Sequence, residues 1–179
     1  STRYAGRGVC IAFVDAGFFP HPDLRLPCGR IRAYVDVTRD QPEPRELLER
    51  KPGSWHGTMT TCAAAGNGYL SGGRYRGLVS ESDVVLVKAK DDDADVRAAH
   101  VVSALGIPLR HPDLGVRVLS ISLGVDPGDP QSAEIERAVE RATAAGVVVV
   151  AAAGNVADRA PTAPASAKSA ITVGGFDDG

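Results

Sequence analysis

Three residues have types and settings suited to moving protons and holding developing charge. Asp15 closes the apolar run "VCIAFVD", His56 stands in "SWHGTMTT" ahead of small and hydroxylated residues, and Asn155 closes "VVVVAAAGN". Each has an ordinary reading when taken alone. An Asp after a strand is usually a turn or cap residue, a histidine near a helix start is more often structural than basic, and Gly154-Asn155 suits a strand-to-loop turn. Together they are the orienting acid, the general base and the oxyanion donor that acyl transfer requires. The nucleophile is missing. No GxSxG occurs.

The elements that must hold these residues follow from the apolar pattern. Short, largely β-branched runs at 9–14, 84–89, 116–122, 147–153 and 170–173 predict strands covered on both faces. Between them lie helical patterns. In "DPQSAEIERAVERATAAG", Asp129 suits the N-cap and Pro130 the first helical position; Ile135, Ala138, Val139 and Ala142 form one stripe, and Gly146 ends it. A second helix is expected over 95–106 with Val102 and Leu105 inward, and a third from near His56. Strands alternating with helices imply right-handed crossovers and an α/β fold: a doubly wound, mostly parallel sheet with helices on both faces. Ligands of such sheets gather at the carboxyl ends of the strands. Asp15 and Asn155 both stand at such ends.

Composition narrows the function classes. With 20 Lys+Arg against 22 Asp+Glu there is no basic stripe, which argues against nucleic acid or an anionic membrane as partner. No apolar run approaches the roughly 20 residues of a membrane span, and "STRYAGRG" lacks a signal-peptide core, so the expectation is a soluble chain or one whose signal has been removed. Three cysteines make no disulfide framework or zinc pair; Cys10 and Cys62 read as small buried residues and Cys28 as a loop thiol. The stretch 39–54 is rich in charge and proline and reads as a surface excursion. The two "HPDL" segments, at 21–24 and 111–114, read as unrelated turns. The acidic run 91–95 lacks the spacing of a calcium loop and reads as a solvated loop with a cap at Asp95. No metal ligand and no cofactor is assigned.

In their order along the chain, "GRGVCIAFVDAGFFPHPDL", "HGTMTTCAAAGNG", "GGRYRGLVSESDVVLVKA", "RVLSISLG", "AGVVVVAAAGN" and "APASAKSAITVGG" resemble the subtilisin-like serine proteases, the subtilase family. The resemblance covers nearly the whole chain. It implies that Asp15 fixes the tautomer of His56, that His56 takes a serine proton and returns it to the leaving amine, and that Asn155 donates to the oxyanion. It further implies that Ser122, Leu123 and Gly124 pair with an extended peptide substrate, and that Ala152, Ala153 and Gly154 line the pocket for the side chain before the scissile bond. Ala163-Pro164 falls where the family often has a cis-proline turn. The family also favours a secreted protein.

Three departures matter. The family's serine follows in a "GTSMA"-like motif, absent here, so the chain reads as one incomplete domain, 1–179. Its partner would be a C-terminal remainder carrying both the serine and a helix that covers one face of the sheet. Met59 replaces a usual second histidine, and Ala16 replaces a usual Ser or Thr beside the acid. The leading expectation is a serine endopeptidase; the alternative is an inactive subtilase-like module that binds peptides or a partner. A dinucleotide-binding domain ranks far below, because no GxGxxG follows the first strand.

Overall fold

The computed structural model describes residues 4–40, 43–45, 47, 53–91, 95–156 and 158–175. Six strands, β1 (Cys10–Asp15), β2 (Ile31–Asp36), β3 (Asp83–Lys88), β4 (Val116–Ile121), β5 (Val148–Ala152) and β6 (Ile171–Val173), form one sheet in the order β2-β3-β1-β4-β5-β6. Every pairing among them is parallel. Among the described residues, five α-helices accompany the sheet: α1 (Pro22–Arg25), α2 (Trp55–Ala65), α3 (Ala98–Leu105), α4 (Ile107–Arg110) and α5 (Ser132–Ala144).

The two faces of the sheet build separate cores. On one face, Ala12, Val14, Val85, Val87, Leu119, Ile121 and Val149 pack against Val101 and Leu105 of α3 and Ile135 and Val139 of α5. On the other, Ile11, Phe13, Val84 and Leu86 meet Phe18, Leu24 of α1 and Ala65 of α2. Successive strand side chains point to opposite faces, so continuous apolar runs are what a doubly covered strand needs. The second face is covered only in part. Val148, Ile171 and Val173 lie on the same side as Val118 by register, yet are 44%, 54% and 52% exposed.

Several expectations shift. β2 was not foreseen, although Ile31, Ala33 and Val35 alternate with Arg32, Tyr34 and Asp36; the polar positions broke the apolar run, and the period of two was its signal. Helix α5 carries the expected stripe, but begins at Ser132 with Gln131 as N-cap. The Asp129 carboxylate accepts the Gln131 N–H at 2.7 Å, closing a turn before the helix, so Pro130 stays outside it. Helix α3 begins at Ala98 with Arg97 as N-cap, so Asp95 caps nothing, and Val101, Ala104 and Leu105 are its buried residues while Val102 is half-buried.

The first "HPDL" forms α1, capped by His21 Nδ1 accepting from Asp23 N at 3.2 Å; the second is a 3-10 turn without a side-chain cap. Cys10 is buried, Cys62 half-buried and Cys28 exposed; burial pushes the Cys10 and Cys62 thiols up to about 11. Most of 39–52 and the centre of the acidic run, 92–94, lie outside the described residues.

Arg30 ties the α1/α2 face together. Its guanidinium donates to the carbonyls of Ser82 (2.9 Å), Asp23 (2.7 Å) and Ala65 (2.7 Å), where Ala65 ends α2. Carbonyls of a last helical turn lack partners inside the helix, and this cation supplies one.

Candidate active site

Asp15 is the last residue of β1 and only 1% exposed. One carboxylate oxygen, Oδ1, accepts from the Ala16 N–H (2.6 Å) and from His56 Nδ1 (2.7 Å). The other, Oδ2, accepts from the Thr60 hydroxyl at 3.0 Å. A carboxylate has no proton to give, so Nδ1 carries the hydrogen and Nε2 is the free acceptor of the neutral ring. Among the described residues no side chain hydrogen-bonds Nε2.

His56 is the second residue of α2, placed there by a close approach of the helix to the end of β1. Gly57 makes the approach possible. A Cβ at that position would meet Gly17 O at 2.4 Å, Phe18 Cε1 at 2.7 Å and Asp15 Cβ at 2.8 Å. Thr58 binds the loop across the joint, accepting from Phe19 N (2.9 Å) and donating to Ser54 O (2.7 Å). Trp55 stands edge-on to the imidazole, with ring centroids 5.4 Å apart, and is 61% exposed.

A cleft of about 360 Å³ opens beside the pair, lined by Ala16, Trp55, His56, Lys90, Ser122 and Leu123 among others. Ser122 extends the ladder past β4, donating to Val14 O at 3.1 Å, so it lies alongside Asp15. Gly124 packs tightly, because a Cβ there would stand 3.2 Å from Thr162 Oγ1. The Ala163–Pro164 bond is cis, and Ala163 O accepts from Val125 N at 3.1 Å.

Ala152, Ala153, Gly154 and Asn155 stand at the carboxyl end of β5, two strands from β1, or roughly 10 Å along the sheet. Ala153 N donates to Val173 O at 2.8 Å, and Gly154 takes φ 106°, a conformation open to glycine. Asn155 is exposed and is not among the residues lining the cleft. The fold thus joins Asp15, His56, Ser122 and Leu123 in one place. It sets Ala152, Ala153, Gly154 and Asn155 on the same edge of the sheet, two strands away from Asp15.

Two partners of the pair escaped the sequence reading. Thr60 looks like an ordinary helix residue, and only its place at i+4 from His56, on the same helix face, signals a role. Gly57 had the signal of glycine directly after a candidate base.

A second charged cluster lies at the end of β2. Burial alone would raise the Asp36 carboxyl, but the Thr38 hydroxyl and amide, the Arg39 guanidinium and the Lys88 charge together hold it below the usual range. Among the described residues no group of three His, Cys, Asp or Glu is placed to hold a metal.

Comparison with known proteins gives a consistent set of likenesses. The model of the subtilase family matches residues 6–179. Serine protease AprX of Bacillus subtilis (strain 168) is 34% identical over 97% of this chain and 39% of its own length. Subtilisin BL of Lederbergia lenta is 33% identical over 96% of this chain and 57% of its own. Among solved structures, S41 psychrophilic protease superimposes with a TM-score of 0.76 at 26% identity, covering 93% of this chain and 53% of that one. The chain therefore spans between about two fifths and three fifths of the length of these relatives.

Proposed function

This chain belongs to the subtilase family, and we propose that it supplies the acid and the base of a serine endopeptidase whose nucleophile lies on a segment outside these 179 residues. The observation that carries this reading is the 2.7 Å bond from His56 Nδ1 to the buried Asp15. It leaves Nε2 as the base, directed to take a proton from a serine hydroxyl as that oxygen attacks the scissile carbonyl. Asp15 holds the ring in this tautomer and stabilises the imidazolium. His56 then gives the proton to the leaving amine. Asn155 donates its side-chain amide to the oxyanion once substrate and serine complete the edge of the sheet.

The substrate is an extended peptide. Leu123 and Gly124 follow β4 and, among the described residues, their N–H groups donate to no protein acceptor, which suits strand addition by a peptide beside Ser122. Ala152, Ala153 and Gly154 leave room for the side chain before the scissile bond. The C-terminal remainder of the domain is the partner this reading needs, and the exposed Val148, Ile171 and Val173 give it an apolar face to cover. By family resemblance the setting is extracellular.

The test is peptide hydrolysis by the intact protein. Asp15→Asn should lower turnover by about 10⁴-fold, His56→Ala by about 10⁶-fold and Asn155→Ala by about 10²–10³-fold, the last two magnitudes coming from a subtilisin rather than from this structure. Undiminished hydrolysis by His56→Ala would refute the assignment. A second reading, an inactive peptide-binding module, is favoured by the unpaired N–H groups of Leu123 and Gly124 alone. It predicts peptide binding with no hydrolysis.

A further inference from the structure

Thr60 lies one helical turn beyond His56 on α2, so both side chains reach the end of β1 from one helix face. Among the described residues its hydroxyl is the one partner of Asp15 Oδ2, at 3.0 Å. With Asp15 only 1% exposed, bulk water does not substitute for it. The neighbouring position is Ala16, which has no hydroxyl to offer.

The hydroxyl has a single proton and two acceptors at 3.0 Å, Asp15 Oδ2 and Gly57 O. A bond to an ionised acceptor is roughly twice as strong as a neutral one, so the proton points to the carboxylate. Gly57 O keeps the Thr61 hydroxyl, at 2.7 Å. A β-branched residue inside a helix has few side-chain rotamers, which fixes the direction of the donor. By contrast, the torsion that turns an aspartate carboxyl is broad and soft. Anchoring Oδ2 fixes that torsion and with it the direction of Oδ1.

We propose that Thr60 is a positioning residue for the acid and base pair: its hydroxyl locks the plane of the Asp15 carboxylate so that Oδ1 faces His56 Nδ1. The inference rests on the reading of His56 as general base. The competing account is local, with the hydroxyl serving only the Gly57 carbonyl three residues back, as threonines in helices often do.

The test compares Thr60→Val, which keeps the shape and removes the donor, with Thr60→Ser, which keeps the hydroxyl, in the intact protein. Two quantities are read: kcat and KM for a peptide substrate, and the low-field proton resonance of a hydrogen-bonded His56 Nδ1–H. The valine variant should lose about tenfold in kcat at unchanged KM, below the roughly 10²-fold cost of a 1 Å misplacement. Its low-field resonance should broaden or vanish, and the serine variant should recover both. Unchanged kcat and an intact resonance in the valine variant would overturn the proposal. Thr60→Ala carries the same comparison if the valine variant does not fold.

The resonance separates this inference from the protease reading. In a wild type that shows the resonance but no hydrolysis, the protease reading fails and the resonance of the valine variant alone decides the role of Thr60. In a wild type that hydrolyses peptide without showing the resonance, the protease reading stands and kcat alone decides the role of Thr60.

Discussion

At the scale of single residues, the donors around a buried carboxylate decide what it does, and the chain holds two contrasting cases, Asp15 and Asp36. Asp15 has three, from Ala16, His56 and Thr60, and they determine where its oxygens point. Asp36 has Thr38, Arg39 and Arg45, and its role is stability. Its folded pKa is depressed below the ordinary 3.8, so its contribution is present above the unfolded value and is lost as pH falls through the folded one. Thermal unfolding measured below about pH 4 should therefore show a falling melting temperature. Asp36→Asn, less stable at neutral pH, should show a smaller fall; an equal fall in both proteins would remove Asp36 from the account. The pairing of Asp15 with His56 could be anticipated because the acid closes an apolar run and the histidine stands at a helix start; the role of Asn155, at the end of β5, is a proposal. Thr60 was not, since a threonine inside a helix has no sequence mark of what it faces across the joint.

At the scale of elements, the joint between β1 and α2 does the positioning. The start of a helix is brought within hydrogen-bond reach of a strand end only because Gly57 has no side chain to collide with Gly17, Phe18 and Asp15. Gly57→Ala must move backbone rather than a flexible side chain. Overpacking of this kind costs about 3 kcal/mol, and the shift separates His56 from Asp15, so stability and hydrolysis should fall together. A variant that folds and hydrolyses like the wild type would show that the approach is not tight. The main strands were legible as β-branched runs between turn residues, and α5 from its stripe. β2 was hidden because Arg32 and Asp36 alternate with its apolar residues and break the continuous run, and the start of α5 moved because the Asp129 side chain closes a turn of its own.

At the scale of the whole molecule, one parallel sheet gathers the candidate residues along its carboxyl edge, with Asp15 after β1, Ser122 to Gly124 after β4 and Asn155 after β5. That edge was foreseeable from the alternation of strands and helices. Which of its residues touch was not, because contact depends on strand order, and β5 lies two places from β1. The half-covered face at Val148, Ile171 and Val173 belongs to the same picture, an apolar surface of β5 and β6 that the first half of the sheet does not share. The most direct measurement is fluorophosphonate labelling of the intact protein and of its His56→Ala variant, with the adduct located by mass spectrometry. The account predicts a single modified serine outside residues 1–179 in the wild type and loss of that label in the variant. An adduct on a serine within this chain, an adduct that survives His56→Ala, or no adduct at all would contradict it.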